Sequence, residues 1–341
     1  MNVCIKGIGV VGRFGCGIES LEEAVVNPVR HEPELVKKIM GMDEAPVAVP
    51  VIPADTAMLG RFVPPKALRR VDHHSRMAIL AACLALQDAR QDAGPNEDLP
   101  EPMGVIVATG MGPTAGALDS QSPGADALDL HLSPIQFSNS VHNAAAAYLS
   151  ILLKIRGPNI SINQYDMSVP LAFQTAMDWL EEGRAASVLV GGVDCYSNDI
   201  CGRHPFPAGE GSAFFVLTLS GAKEIRYPFI RDIRIGRSLQ ELALPSGALW
   251  VHNGTSEHIA LAGSACRQAV FSHIYGVFPS GMVLDLAVAA LLLKKENSRD
   301  GVLPNGDCEP ELRETPRICC LKKGAAGDFG VIEVKQIQSD A

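Results

Sequence analysis

The sequence predicts an α/β protein, on three observations. Residues 157–194 have the pattern of a short strand, a sharp turn, a helix and a second strand, with apolar residues at helical spacing across 168–182. Residues 187–193 form a continuous apolar run that ends in glycines, which is typical of a strand buried on both faces. The chain is 47% hydrophobic, only 5% aromatic and contains 32 glycines, so we expect helices packed closely on sheets.

The turn before the predicted helix carries Asp166, and Gly183 with Arg184 ends that helix. A helix N-terminus offers free amides and the positive end of the helix dipole, which stabilise a carboxylate by about 0.3–1 kcal/mol. Two roles for Asp166 stay open on this pattern alone. It is either a helix cap or an acid/base group in a reaction at the turn.

The N-terminal third begins with a predicted strand at 3–12 and a helix at 19–26, followed by an irregular proline-rich stretch at 36–65 and a helix at 66–89. Gly7, Gly9 and Gly12 have the spacing of a dinucleotide-binding loop. No ribose-binding acid follows in a clear βαβ unit, so we interpret the glycines as packing residues and predict no cofactor.

The middle of the chain contains a predicted buried strand at 104–112, a polar stretch at 115–133 and a helix at 137–156. Four alanines at 144–147 permit another helix to approach closely. Beyond the central unit we predict strands at 225–235 and 247–251, helices at 257–270 and 280–295, a surface loop at 297–315 and closing strands at 317–321 and 329–335. Cys319 and Cys320 would then face opposite sides of one strand.

Composition narrows the function. A formal net charge of −9 argues against nucleic-acid binding. The apolar run at 282–293 contains Asp285 and is too short to cross a bilayer, and no secretory signal is recognisable, so we expect a cytoplasmic protein without membrane contact. Nine cysteines are an odd number and favour reduced thiols. Cys195, Cys201 and His204 lack a second ligand pair at metal spacing, so we predict no metal.

Several segments together resemble the β-ketoacyl synthases of the thiolase-like superfamily. These are GPN at 157–159, GGVD at 191–194, RRVDHHSR at 69–76, GEG at 209–211 and the Gly254–Thr255 pair. The resemblance covers nearly the whole chain. It implies a five-layer αβαβα sandwich of two similar halves, residues 1–220 and 221–341, forming one compact unit. It also implies that the helix at 137–156 packs across a dimer interface.

The resemblance also locates the three catalytic positions of the family. The nucleophilic cysteine corresponds to Asp166, the first catalytic histidine to Asn253 and the second to Val277. His252 lies one place early. On a strand end one residue reverses the side-chain direction, so His252 would point away unless the loop is bulged.

Decarboxylative condensation needs a thiolate to hold the acyl chain and two imidazoles to stabilise the developing oxyanion. The loss of one oxyanion donor costs about 10²–10³ in rate. A carboxylate at the nucleophile position would also repel a malonyl carboxylate 4 Å away by about 4 kcal/mol at intermediate dielectric. We therefore predict a condensing site without condensing activity.

Three functions remain for such a chain. The first is a non-catalytic subunit, similar to chain-length factors, that pairs with an active ketosynthase in fatty acid, polyketide or aryl-polyene synthesis and is visited by an acyl carrier protein. The second is an acyltransferase-type enzyme that acts on acyl-thioesters through Asp166, assisted by His252 or His142. The third is a homodimer that binds an acyl ligand as a carrier or sensor.

Overall fold

The computed structural model describes residues 3–28, 34–38, 47–91, 98–113, 134–196, 207–219, 226–238, 242, 247–254, 267–294 and 317–336. The strands in these ranges are β1 (Val3–Gly12), β2 (Gly15–Cys16), β3 (Glu34–Lys38), β4 (Val47–Ile52), β5 (Met103–Ala108), β6 (Asn159–Ile162), β7 (Ser187–Asp194), β8 (Ala208–Gly209), β9 (Gly211–Leu219), β10 (Phe229–Gly236), β11 (Leu249–His252), β12 (Arg267–Ala269), β13 (Arg317–Lys323) and β14 (Phe329–Lys335). The helices are α1 (Ile18–Val26), α2 (Pro65–Leu68), α3 (His73–Gln91), α4 (Pro134–Asn139), α5 (Ala144–Leu153), α6 (Ser168–Glu181), α7 (Ser272–Tyr275) and α8 (Met282–Leu292). Short 3-10 turns cover Ala57–Arg61, Tyr165–Met167 and Pro279–Gly281.

The main sheet contains two runs of five strands with the same topology. The order is β6-β5-β7-β9-β1 in one run and β12-β11-β13-β14-β10 in the other, and β2 pairs with β1. In each run the third strand in chain order lies at one end, followed by the second, fourth, fifth and first. The first two pairings are parallel and the last two antiparallel. The two runs therefore repeat one arrangement, as the sequence predicted for the fold.

The two runs meet where β1 pairs with β10, through the residue pairs Val3↔Ile230 and Cys4↔Phe229. This short connection makes the hydrogen-bond path continuous from β6 to β12. The division of the chain at residue 220 stays a prediction, because 220–225 lie outside the described residues. Strands β3, β4 and β8 form a separate three-stranded sheet.

Helices α6 and α8 form the layer between the two runs. Both belong to the largest apolar core, which also contains inward-facing residues of both runs. Residues 282–291 of α8 are all buried, and a helix that is apolar on all sides is a core helix. The two N-terminal turns meet over Gly192, where a Cβ would lie 2.8 Å from Val283 Cγ1 and 3.5 Å from Val169 Cγ2.

Helices α3 and α5 cover the outer face of the first run and share a second apolar core with it. The N-terminal glycines serve this packing. A Cβ on Gly9 would lie 2.0 Å from the carbonyl oxygen of Ala81, and one on Gly7 would lie 2.3 Å from that of Ala85. Glycine is therefore required there for the close approach of α3 to β1, which supports the packing interpretation of this motif.

The prediction for the two adjacent cysteines of β13 is confirmed. Cys320 lies in the core between the two runs, whereas Cys319 lies in a third cluster on the opposite face of the sheet. The six cysteines within the described ranges form no disulfide. Burial raises the pKa of the Cys319 thiol to about 12, so this thiol is held in its protonated form.

Two predicted helices are each divided in the structure. The one at 66–89 separates into α2 and α3, because Asp72 caps a new helix: its carboxylate accepts bonds from the Ser75 N–H (2.9 Å) and hydroxyl (2.8 Å). The one at 137–156 separates into α4 and α5, and between them the Ser140 hydroxyl donates to the Phe137 carbonyl (2.9 Å). Side-chain bonds to backbone thus replace the helical bonds at both breaks.

Other boundaries also differ from prediction. The stretch at 36–65 is not wholly irregular, because it contains most of β3 and all of β4. The helix predicted at 257–270 is wrong at its end, where Arg267–Ala269 is a strand paired in parallel with β11. Residues 255–266 and the polar stretch 115–133 lie outside the described residues.

No helix in the described part of the chain is long and apolar enough to cross a membrane.

Candidate functional site

Asp166 lies in the 3-10 turn Tyr165–Met167, between the end of β6 and the start of α6. Ser168 fixes this turn from inside. Its hydroxyl oxygen lies 2.9 Å from the carbonyl oxygen of Thr109 and 2.8 Å from that of Tyr165, and it accepts a bond from the Gln164 N–H (2.8 Å). Because Ser168 is fully buried, these bonds connect the turn firmly to the end of β5.

Lys322 of β13 is paired with Asp166. Its Nζ lies 3.2 Å from Asp166 Oδ1, and the two side chains are only 3% and 16% exposed. The same Nζ also donates to the carbonyl oxygen of Phe278 (3.3 Å). A partly buried carboxylate and a buried ammonium thus compensate each other's charge at the N-terminus of α6.

Sequence reasoning missed Lys322. Its signal was available, because side chains two residues apart on a strand face the same side. Cys320 points into the core between the two runs, so Lys322 does as well, and a lysine on the inner face of an apolar strand needs an acidic partner. Cys320 is no substitute for the family thiolate, since burial raises its thiol pKa well above the ordinary value.

A second carboxylate lies near the same lysine. Asp285 of α8 is buried and accepts a hydrogen bond from the Tyr275 hydroxyl. Burial raises the pKa of Asp285 to about 6, although the Tyr275 bond and the charge of Lys322 both lower it. Two carboxylates and one ammonium therefore form a connected charged group between the helices and β13.

This pKa makes folding stability depend on pH. Below about pH 4 Asp285 is neutral in both states. Between its ordinary pKa of 3.8 and its folded pKa of about 6, the unfolded chain has released the proton and the folded chain has not, so stability falls as pH rises. Above pH 6 the full cost applies, on the order of 3 kcal/mol for a shift of about two units.

We expect Asp285→Asn to remove this part of the pH dependence, because an amide stays neutral and its oxygen still accepts from Tyr275. Urea unfolding from pH 4 to 7.5 measures this dependence. The free energy of unfolding of the variant should increase relative to that of the wild type as pH rises. Asp98→Asn, at an exposed carboxylate, is the control and should follow the wild type. Parallel curves for the wild type and Asp285→Asn would contradict the assignment.

Asn253 and Val277 are both buried. The side-chain oxygen of Asn253, Oδ1, has no hydrogen-bond partner among the described residues. The backbone carbonyl of Asn253 accepts a bond from the Ser272 hydroxyl (3.3 Å). Val277 makes only backbone bonds of 3.0 Å, to Pro207 and Gly209, and its isopropyl group has no donor. The structure brings the Asp166 and Val277 segments together, because Lys322 contacts both Asp166 and the carbonyl of Phe278.

His252 lies on the other face of its sheet. It pairs with Leu321, whose side chain belongs to the outer cluster, whereas the next residue on β13, Lys322, faces inward. Its Nε2 lies 2.9 Å from Gln268 Oε1, and its Nδ1 accepts from the Gly254 N–H (3.0 Å). Burial lowers the pKa of His252. The imidazole is therefore neutral, bonded locally and directed away from the ion pair.

His142 lies in the exposed connection between α4 and α5. It packs against the loop after β5, since a Cβ on Gly112 would lie 2.7 Å from His142 Cδ2. The described contacts place it beside this loop and not beside Asp166.

The acidic residue that ends the central unit, Asp194, holds two segments together. Its buried carboxylate accepts bonds from the Thr109 hydroxyl (2.8 Å) and from the N–H groups of Gly110, Met111 and Ser280, at 2.9–3.1 Å. The loop after β5 is thereby fixed to the segment that leads into α8. Asp194 supports the site and does not enter it.

A further ion pair stabilises the segment behind the site. Glu210 accepts bonds from His73 Nε2 (2.8 Å), the Ala54 N–H (2.9 Å) and the Tyr196 N–H (3.3 Å). His73 thus has an acidic partner that lies 137 residues away in the chain. The bond to Glu210 raises the pKa of His73, whereas burial lowers the pKa of His74. Within the described ranges no three His, Cys, Asp or Glu residues are grouped as metal ligands.

The repeated five-stranded topology with two helices buried between the runs defines a thiolase-like ketosynthase fold. Residues 55–203 match the beta-ketoacyl synthase N-terminal domain. Over this segment the chain is similar to the β-ketoacyl synthase family. It is 28% identical over 202 residues to 3-oxoacyl-[acyl-carrier-protein] synthase 2 of Rhizobium meliloti, a match that covers 57% of this chain and 47% of that protein.

Solved structures agree over nearly the full chain. AntDE:AntF, a type II PKS acyl-carrier protein in complex with its ketosynthase, superposes with a TM-score of 0.73 at 15% identity, over 98% of this chain and 99% of that one. The ishigamide ketosynthase/chain length factor superposes with a TM-score of 0.70 at 17% identity, over 99% of this chain and 100% of that one. A beta-ketoacyl synthase from Burkholderia phymatum superposes with a TM-score of 0.70 at 16% identity, over 99% of this chain and 100% of that one. At these identities the likeness establishes the fold.

Proposed function

We propose that this chain is a non-catalytic ketosynthase-like subunit of the chain-length-factor type, which pairs with an active ketosynthase and is visited by an acyl carrier protein. The observation that carries the proposal is the ion pair between Asp166 and the buried Lys322, at the position that the sequence resemblance assigns to the family nucleophile. A group that must attack a thioester cannot be a carboxylate already bonded to an ammonium.

The surroundings of the ion pair support the same conclusion. Condensation requires donors aimed at the developing oxyanion. The side chain of Val277 has no hydrogen-bond donor. His252 lies on the far face of its sheet, where its ring is bonded to Gln268. An acyltransferase reaction through Asp166 is disfavoured for the same reasons: the carboxylate is neutralised, and neither His252 nor His142 has a described contact with it.

A surface for the partner is present at β6. This strand ends the main sheet, so its outer edge carries backbone N–H and C=O groups for pairing with another strand. The stretch around it is apolar. Six of the eight large exposed hydrophobic residues in the described part of the chain lie between 135 and 165: Ile135, Phe137, Val141, Ile151, Ile160 and Tyr165.

This surface favours a strand-bearing partner with an apolar face. Ile151 is 72% exposed on α5, and Asn159 Nδ2 connects β6 to that helix by donating to the Ala146 carbonyl (2.9 Å). An exposed apolar set beside an open sheet edge is typical of a protein interface. One of the similar structures is the ishigamide ketosynthase/chain length factor, which makes an active ketosynthase the occupant that we propose.

Co-expression with an active ketosynthase tests the proposal. We expect the two chains to co-purify as a 1:1 complex, and the pair with its carrier protein to make products of a different length from the ketosynthase alone. The isolated chain should not condense or hydrolyse acyl-thioesters. Asp166→Ala is the control, and we expect it to leave that absence of turnover unchanged.

Two results would overturn the proposal. The first is thioester turnover by the isolated chain that is lost in Asp166→Ala, which would establish the acyltransferase alternative. The second is a mixture in which the chains stay separate and product length is unaffected. A stable homodimer that binds acyl ligands without the ketosynthase would instead favour the carrier or sensor.

A further inference from the structure

A cavity of about 450 Å³ lies beside β1, away from the candidate site. Within the described strands, this edge of β1 pairs with β10 only at residues 3–4 and with β2 only at residues 11–12. Ile8, which lines the cavity, falls in the gap between these two pairings. The volume is within the range of about 300–1,000 Å³ that is typical of small-molecule sites. The gap in strand pairing therefore leaves room for a small ligand.

Part of the cavity lining is apolar and comes from both large cores. Ile8 and Ile18 are buried and belong to the core between the two runs. Met58, Phe62 and Leu84 are partly buried and pack against the core that α3 and α5 share with the first run. Apolar side chains of this kind hold the hydrocarbon part of a ligand, and a few polar groups then fix its orientation.

Two polar residues of the lining already have partners within the chain. The buried carboxylate of Asp88 accepts bonds from the Ile8 N–H (2.8 Å) and the Tyr227 hydroxyl (3.0 Å), and it is paired with Arg226. The Oε1 atom of Gln91 accepts a bond from the same Arg226 (3.2 Å). These groups shape the cavity and are not available to a ligand, because their hydrogen bonds are made internally.

Two charged side chains of the lining remain unpaired. Glu19 lies in the first turn of α1, Arg61 ends the 3-10 turn Ala57–Arg61, and both residues are exposed. In the described part of the chain, neither side chain forms an ion pair or a hydrogen bond, with the other or with a third residue. The same cavity thus carries a separate carboxylate and a separate guanidinium beside its apolar lining.

We infer that this cavity binds a small zwitterion with an apolar side chain, the chemical class of the free amino acids with large apolar or aromatic side chains. The ligand carboxylate binds Arg61, its ammonium binds Glu19, and its side chain packs on the apolar lining. A ligand with one charge would leave the opposite side chain unpaired, and an anion alone would be repelled by Glu19. Hydrogen bonds between charged groups are roughly twice as strong as neutral ones, so both ends of the zwitterion contribute.

Isothermal titration calorimetry of the full chain tests the site with three probes that share one aromatic ring. Phenylalanine carries both charges, phenylpropionate carries only the carboxylate, and phenethylamine carries only the ammonium. We expect phenylalanine to bind with a dissociation constant of about 0.1 mM. Each singly charged probe should bind about tenfold more weakly, because one charge-assisted hydrogen bond is lost.

Two variants separate the two charged contacts. Arg61→Gln should weaken the binding of phenylalanine about tenfold without weakening that of phenethylamine. Glu19→Gln should weaken the binding of phenylalanine about tenfold without weakening that of phenylpropionate. Both positions are exposed, so we expect both variants to fold. Arg69→Gln, at an exposed arginine outside the cavity, is the matched control and should bind all three probes as the wild type does.

Three results would overturn the inference. An absence of phenylalanine binding up to about 10 mM would show that the cavity is not a site for this class of ligand. Equal binding of phenylalanine and either singly charged probe would show that only one of the two charges is used. Undiminished phenylalanine binding by both variants would place the ligand elsewhere. The proposed function does not depend on these results, because its test is complex formation with the ketosynthase.

Discussion

Replacement of Lys322 by methionine is expected to lower the free energy of unfolding by about 3–5 kcal/mol. The substitution leaves Asp166 without its buried partner and removes the cation nearest to Asp285. An unpaired charge in a core costs far more than the ion pair itself contributes, because its desolvation is no longer offset. Urea denaturation of the isolated chain at pH 7.5 measures the effect.

A double-substitution cycle provides the control. Asp166→Asn together with Lys322→Met removes both charges and keeps the approximate volume, so we expect most of the lost stability to return. The coupling between the two sites should exceed 1 kcal/mol. Additive losses would show that the ion pair is not formed in solution, and the central observation behind the proposed function would fall with it.

The second large effect concerns the partner surface. Ile160→Lys places a charge at the centre of the edge strand, where the partner would bury it. We expect the dissociation constant for the ketosynthase to rise about 100-fold, which corresponds to about 2.8 kcal/mol. The isolated chain should fold normally, because Ile160 is already 40% exposed. Analytical ultracentrifugation of the mixed chains distinguishes the complex from its parts.

Ile235→Lys is the matched control for this experiment. Ile235 also lies on a strand and is 41% exposed, but it belongs to β10, in the middle of the main sheet and far along it from β6. We expect this variant to bind as the wild type does. Equal weakening by both substitutions would indicate a general effect of added charge and would contradict the placement of the interface at β6.

Much of the fold follows from local sequence pattern. The boundaries of β1 and β14 agree with prediction, and those of α1, α6 and β7 agree to within one residue. These elements have clear apolar periodicity and end in glycine or in polar residues. The breaks before α3 and α5 were missed, because side-chain hydrogen bonds of Asp72 and Ser140 to nearby groups compete with helical hydrogen bonds at the same positions.

The sequence alone indicated the likeness to β-ketoacyl synthases and the alternation of buried strands and helices, and it predicted that no cysteine or histidine stands at the three positions aligned with the family's catalytic residues. These properties depend on residue type and spacing. Only the tertiary structure decided how the substituted positions are satisfied. The partner of Asp166 is 156 residues away in the chain, on a strand of the other run. Local pattern cannot specify such a pairing, because it arises only when both runs pack on the helices between them. The same packing turns His252 outward and places β6 last among the described strands of the main sheet.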